Sequence, residues 1–364
     1  MTKPLIQTAR MRSLMVVPII LAIVTALALF ARSDVNAALL WSQCHARSRI
    51  PAVSRIPGLG TPLCFLISFF QAALDSLRTR AVMAMILSFV GSLLTVCTSE
   101  SARSCNRPAR VVANPTPGWL LFNLLGGAVV WQLLIVPAYL QRARNLFLAH
   151  KAEGEGDEEN TEPAEHQDRN VAGSEVAAIP LSVAAGYYVP SILMLVFNSP
   201  ATIGAWLLFP LYVSVVRQAV RWGIQRIWAS TAERNVHLET NRRSMAAVYA
   251  IPLISSLLSH GGFIWNLTRP DDRKELTRST VSFIEIDFAF IGATILYWVF
   301  VEVGWKVPLS MVGVSAIFGP GAGTLAGWIL RERVIQRELA HLLIDDTERD
   351  ADAEPSEQTP LIPS

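Results

Sequence analysis

Three carboxylates interrupt an apolar stretch, Ser279–Val303, that is otherwise suited to cross a lipid bilayer: Glu285, Asp287 and Glu302. At 1.5 Å per residue the stretch reaches across a hydrocarbon layer of roughly 30 Å. An ionisable side chain near the centre of such a span costs about 2.5–3.5 kcal/mol, so each acid needs a reason. Glu285 follows Ser282 by three residues, the spacing of a capping box, so a helix-start role competes there with chemistry. Asp287 lies about 200° around the helix from Glu285, and it shares its face with Thr294 and Trp298. Glu302, roughly 22 Å further along the axis, belongs to the far interface near Lys306. Asp287 is the leading candidate for a reacting group.

An apolar cavity favours the neutral form of a carboxylic acid, which can then act as a general acid. A weakly basic alkene or epoxide protonated by such a group becomes a carbocation. That cation needs a dry pocket with aromatic faces around it, and Trp298 and Thr294 are placed to contribute to one. Asp75 offers a second acid, or else a last-turn ion pair with Arg78. Asn123, Gly127 and Trp131 share one helix face with Gly126 beside them, which reads either as close helix packing or as a pocket wall with Asn123 as its polar contact. His260, before Gly261-Gly262, is either packed at a glycine kink or part of a proton relay. The run Asp271-Asp272-Arg273-Lys274-Glu275 has a superficial likeness to a magnesium-binding motif, but it follows Pro270 and is interleaved with cations, so a solvated loop is expected. With no metal-ligand spacing, P-loop or nucleophile motif, neither a metal nor a cofactor is expected.

The elements that must position these residues are membrane helices. Of 364 residues 52% are apolar and only 16% charged, well below the roughly 25% of soluble proteins. The balance of 31 basic against 29 acidic residues gives no basic face for nucleic acid. The pattern predicts an all-α, polytopic helical bundle of eight or nine transmembrane helices. Residues 1–57 read as a signal anchor, Met15–Ala31, and a basic loop. Residues 58–140 form a first helical block, with Leu59–Leu77 and Thr79–Cys97 as an antiparallel hairpin and Gly118–Leu140 as the fourth span. Residues 141–174 are an acidic, disordered linker. Residues 175–330 form a second block ending in the span Val307–Leu330, and residues 331–364 an acidic, disordered tail. Basic residues divide evenly between alternate loops, which leaves orientation open. No internal repeat and no inverted pair of broken helices is visible. The four cysteines, Cys44, Cys64, Cys97 and Cys105, fit neither a zinc site nor a disulfide framework; Cys97 and Cys105 either pair across a loop or stay free.

The runs Gly58-Leu59-Gly60-Thr61-Pro62-Leu63-Cys64, Phe69-Phe70-Gln71-Ala72-Ala73-Leu74-Asp75, Trp119–Ala128 and Glu285-Ile286-Asp287-Phe288-Ala289 resemble the membrane-bound terpene cyclases of fungal meroterpenoid biosynthesis, the group of the ascochlorin, ascofuranone and macrophorin cyclases. The resemblance spans most of residues 58–305. It implies a metal-independent enzyme of the endoplasmic reticulum membrane that cyclises a farnesylated aromatic or quinone-type substrate, started by protonation of an epoxide or olefin. It further implies Asp287, Glu285 and Asp75 as acids, and a prenyltransferase and an epoxidase acting upstream. A lipid-binding or proton-coupled transporter would draw on the same buried acids, and an accessory membrane protein would use them only to pair helices.

Overall fold

The computed structural model describes residues 4–32, 35–45, 60–154, 169–228, 234–238 and 240–353. Among these the fold is all-α apart from one short antiparallel pairing of Val171–Ala172 with Asn235–Val236. The bundle is built around Leu77–Ala102, of whose apolar window 83% is buried, against 33% for the acid-bearing helix. Its sequence explains the position. Ser88, Gly91, Ser92, Thr95, Thr98 and Ser99 give it small surfaces that neighbours approach closely. The hydroxyls of Ser92, Thr95 and Thr98 donate back to carbonyls one turn earlier, so burying them strands no polar group.

Among the described residues, five helices are long and apolar enough to cross a membrane: Met11–Arg32, Leu77–Ala102, the continuous Gly173–Phe197, Arg242–Leu267 and Glu275–Val303. A sixth is the pair Pro200–Leu207 and Phe209–Ile227, bent by 61°. The three other expected spans do not have this form. Gly60–Ala73 has 14 residues, about 21 Å of helix. It packs chiefly on Glu275–Val303 and Pro200–Leu207 rather than pairing with Leu77–Ala102.

The expected fourth and ninth spans are helical hairpins that turn back inside the bundle. In the first, Thr116–Leu125 ends at Gly126, and the chain returns through Gly127–Val130, the wide turn Trp131–Ile135 and Val136–Gly154. Gly118 faces Ile135, and Trp119 meets Trp131 edge-on at 5.7 Å, as antiparallel arms require. In the second, Lys306–Phe318 turns at Gly319 into Pro320–Ala353. Gly323 lies against Ser315 and Gly327 against Met311, where any side chain would collide. Gly126 and Gly319 adopt φ of 117° and 92°, a backbone region open to glycine, and this is what lets each turn be so tight. Broken helices are therefore present, contrary to the sequence reading.

Both hairpins have their feet on the side where Leu77–Ala102 ends. The first reaches it through Arg142, which donates to the Cys105 carbonyl, and the second through Arg331, which pairs with Glu302. The expected linker is helical as far as Gly154 and resumes as the strand Val171–Ala172. The expected disordered tail continues the last helix to Ala353. The basic loop with Arg47, Arg49 and Arg55 lies outside the described residues. Cys44 is disulfide-bonded to Cys64, a pairing not anticipated, while Cys97 and Cys105 are buried free thiols.

Candidate functional site

A helix that restarts inside an apolar bundle exposes backbone N–H groups with no partner in their own helix. At the tip of the first hairpin Asp287 supplies one, its Oδ1 accepting from the N–H of Ala128 at 2.9 Å. The approach is possible because residue 127 is glycine: a Cβ there would stand 2.6 Å from Asp287 Oδ2 and 2.9 Å from the Phe122 ring. The two adjacent glycines thus divide the work. A Cβ at Gly126 would meet nothing within 4 Å, so it serves the turn, and Gly127 serves the contact.

Asp287 borders a cavity of about 220 Å³ formed by five parts of the fold. The hairpin tip gives Phe122–Gly127, the central helix Met83–Val90, and the acid-bearing helix Phe283–Ile291; Phe69, Phe70 and Trp206 close it. Six aromatic rings therefore line a space in which Asp287 is the one ionisable group among the described lining residues. Asn123 is the other clear polar lining group, and its Nδ2 donates to the Leu207 carbonyl at 3.0 Å. That carbonyl sits where the bent crossing helix breaks, so Asn123 satisfies one helix interruption as Asp287 satisfies another. The cavity reaches the outer surface at Leu124 and Leu125, the latter 72% exposed.

The other candidates fall elsewhere. Asp75 is exposed at a helix end, paired at 3.2 Å with Lys274 rather than with Arg78. Glu285 is not in a capping box: the helix begins at Glu275, two turns earlier, and Ser282 lies in its interior. Glu285 is exposed and outside the cavity lining. Thr294 accepts from Gln132, which also bonds Thr25, so it ties three helices together and is not among the described residues that line this cavity. Trp131 is fully buried between Trp119 and Phe122, behind the cavity wall. His260 lies within the continuous helix Arg242–Leu267, packed against the tip at Gly319. Asp271 is held well below the ordinary carboxylate range by hydrogen bonds from Arg273, as the solvated-loop reading expects.

Trp298 is not beside Asp287 either. Its Nε1 donates to Glu302 at 2.8 Å, and Glu302 is buried against Arg331 rather than exposed near Lys306. Glu302 belongs to a buried cluster in which Glu100, Glu302 and Glu332 balance Arg103, Arg169 and Arg331. Sequence reasoning missed this cluster because its members lie in four separate segments. It missed the aromatic cage for the same reason: Phe69, Phe122, Trp206 and Phe288 read singly as packing residues.

A family described as the CtvD domain matches residues 46–269. The chain belongs to the CtvD domain family. The comparison with curated proteins and that with solved structures return no match. The CtvD-domain segment contains the hairpin tip, Asn123 and the bend at Leu208, whereas Asp287 reaches the tip from beyond its end.

Proposed function

We propose that this CtvD-domain protein is a membrane-embedded cyclase in which Asp287 protonates the terminal epoxide or olefin of a farnesylated aromatic or quinone-type precursor. The observation that carries the reading is one carboxyl group in a space faced by six aromatic rings. With Oδ1 fixed by Ala128, the proton is carried on Oδ2. Transfer to an epoxide oxygen breaks the carbon–oxygen bond at the more substituted carbon, and the next double bond of the chain attacks the cation. Loss of a proton at the last cation returns the balance, so the whole is an isomerisation without redox equivalents. The phenyl and indole faces stabilise each cation, and the apolar walls keep out water that would quench it.

Capping alone does not account for Asp287. The second hairpin tip faces the same problem and solves it with a neutral hydroxyl, Ser256 Oγ, which accepts from the Ala322 N–H at 2.8 Å. A cavity of 220 Å³ is below the roughly 300–1,000 Å³ of sites that enclose whole ligands. The site accordingly holds the reacting end of the prenyl chain, and the remainder passes out at Leu125 into lipid. The resemblance to the meroterpenoid cyclases supports the same chemistry, with supply by a prenyltransferase and an epoxidase in the endoplasmic reticulum membrane.

A second reading is favoured by the interrupted helices, which are the usual architecture of transporter binding sites. In that case Asp287 couples a proton to passage of an apolar solute. Product analysis decides between them: membranes bearing the wild type are given a farnesylated phenol and its terminal epoxide. A cyclic product that disappears in Asp287→Asn at equal protein level supports the cyclase. Uptake of unaltered solute into vesicles, with no product, supports transport.

A further inference from the structure

A second cavity, of about 340 Å³, lies on the side where Leu77–Ala102 ends, and nothing in the proposed chemistry uses it. Its position follows from the sequence. It is formed by the last turns of that helix, the first turns of Gly173–Val183, the foot of the first hairpin and the second half of the bent crossing helix. Several crossing segments begin or end here, so it is at the level of a membrane surface. Unlike the first cavity, it is lined mainly by polar groups.

Its charge is unbalanced. Glu175 is the only carboxylate among the described lining residues, against Arg107, Arg217 and Arg221. Glu175 is fully engaged: Arg217 donates to both its oxygens at 2.8 and 3.0 Å, and Arg221 Nε stands 3.1 Å from Oε1. Arg217 spends its remaining terminal nitrogen on Ser101 Oγ at 2.7 Å. This pair forms a satisfied floor. Arg221 faces Glu175 through Nε, and among the described residues nothing bonds its outer nitrogens, with its side chain 42% exposed. Arg107 is exposed and has no ion-pair partner among the described residues. Two guanidinium groups with spare donors thus line the same cavity as the neutral Arg217–Glu175 pair, together with the amides of Asn114 and Gln218.

We infer that this cavity binds a phosphate-type oxyanion on Arg107 and Arg221. Guanidinium forks match the several oxygens of a phosphate group, and Glu175 already occupies the donors that one carboxylate could take. The anion comes either from an anionic phospholipid headgroup, for which a cavity at the membrane surface is well placed, or from free phosphate. The inference does not depend on the chemistry assigned to Asp287.

The test uses the full chain in nanodiscs of phosphatidylcholine containing a small fraction of phosphatidic acid, with retained lipid measured by native mass spectrometry. A parallel arm titrates inorganic phosphate into protein in phosphatidylcholine alone. Wild type is expected to retain phosphatidic acid roughly tenfold over its share of the bilayer, and Arg107→Gln with Arg221→Gln to lose that enrichment. Arg107→Gln alone, at an exposed and unpaired position, is expected to lose part of it with an unchanged melting temperature. Phosphate binding without lipid enrichment, lost in the double variant, assigns the same site to the free anion. Neither form binding, or both binding equally to wild type and double variant, overturns the inference.

Discussion

A methyl group at Gly127 would stand 2.6 Å from Oδ2 of Asp287, although the two residues are 160 positions apart in the chain. The bare Cα of one is the seat of the other's carboxyl group. The tip of a folded-back hairpin and the acid of a crossing helix are therefore one unit.

Gly127→Ala is expected to push the carboxyl group off the tip and abolish product formation while the protein still folds. The check is product yield beside melting temperature. Gly126→Ala gives the contrast: with open space around it, its cost comes from the positive φ, about 1–2 kcal/mol, and appears mainly as lost stability.

Asp287→Asn keeps an oxygen for the Ala128 N–H and removes the acid, so the melting temperature should hold while product falls below detection. Asp287→Ala removes the cap as well, with a further loss of about 0.5–2 kcal/mol in stability. Equal product from wild type and Asp287→Asn would show that another group supplies the proton.

Asn123→Leu leaves the Leu207 carbonyl without its donor in an apolar setting, at a cost of about 1–3 kcal/mol. Ser256→Ala should cost a similar amount at the second tip but leave turnover per folded molecule unchanged, because no residue of that tip is among those described as lining the aromatic cavity. Thermal melting with activity normalised to folded protein separates the two.

Glu332 is held well below the ordinary carboxylate range by Arg103, Arg169 and Arg331. Its folded form is the more acidic, so its stabilisation is complete above the unfolded value near 4.3 and disappears as pH falls toward the folded one. Wild type should lose melting temperature steeply as pH drops below about 4.5, and Glu332→Gln should show a shallower slope from a lower start. Removing one partner from such a buried cluster costs about 3–5 kcal/mol.

What the sequence made legible was helical content and the oddity of Asp287, since apolar runs and a lone acid are local signals. Whether a run crosses or turns back was not legible, because Gly118–Leu140 carries no charged residue and it is the φ of Gly126 that reverses it. Helical phase placed Trp298 on the side of Asp287, but a separation of 11 positions carries it to another layer, where Glu302 takes its N–H. Asp75 looked buried because its neighbours are apolar; its position after the last turn of Gly60–Ala73 puts it outside.

The Cys44–Cys64 bond has a consequence for compartments. Such bonds persist where the surroundings are oxidising. They join segments on the side where Leu77–Ala102 begins, as the packing of Leu40 against Phe69 shows. This predicts that the side where Leu77–Ala102 begins faces away from the cytosol, with the ion cluster and the arginine-lined cavity on the opposite, cytosolic side. The even scatter of basic residues along the sequence concealed this, because hairpins that return to their own side were counted as crossings. Mass spectrometry of the protein alkylated without reduction should recover the Cys44 and Cys64 peptides joined, and recovery of both as free alkylated thiols would overturn the assignment.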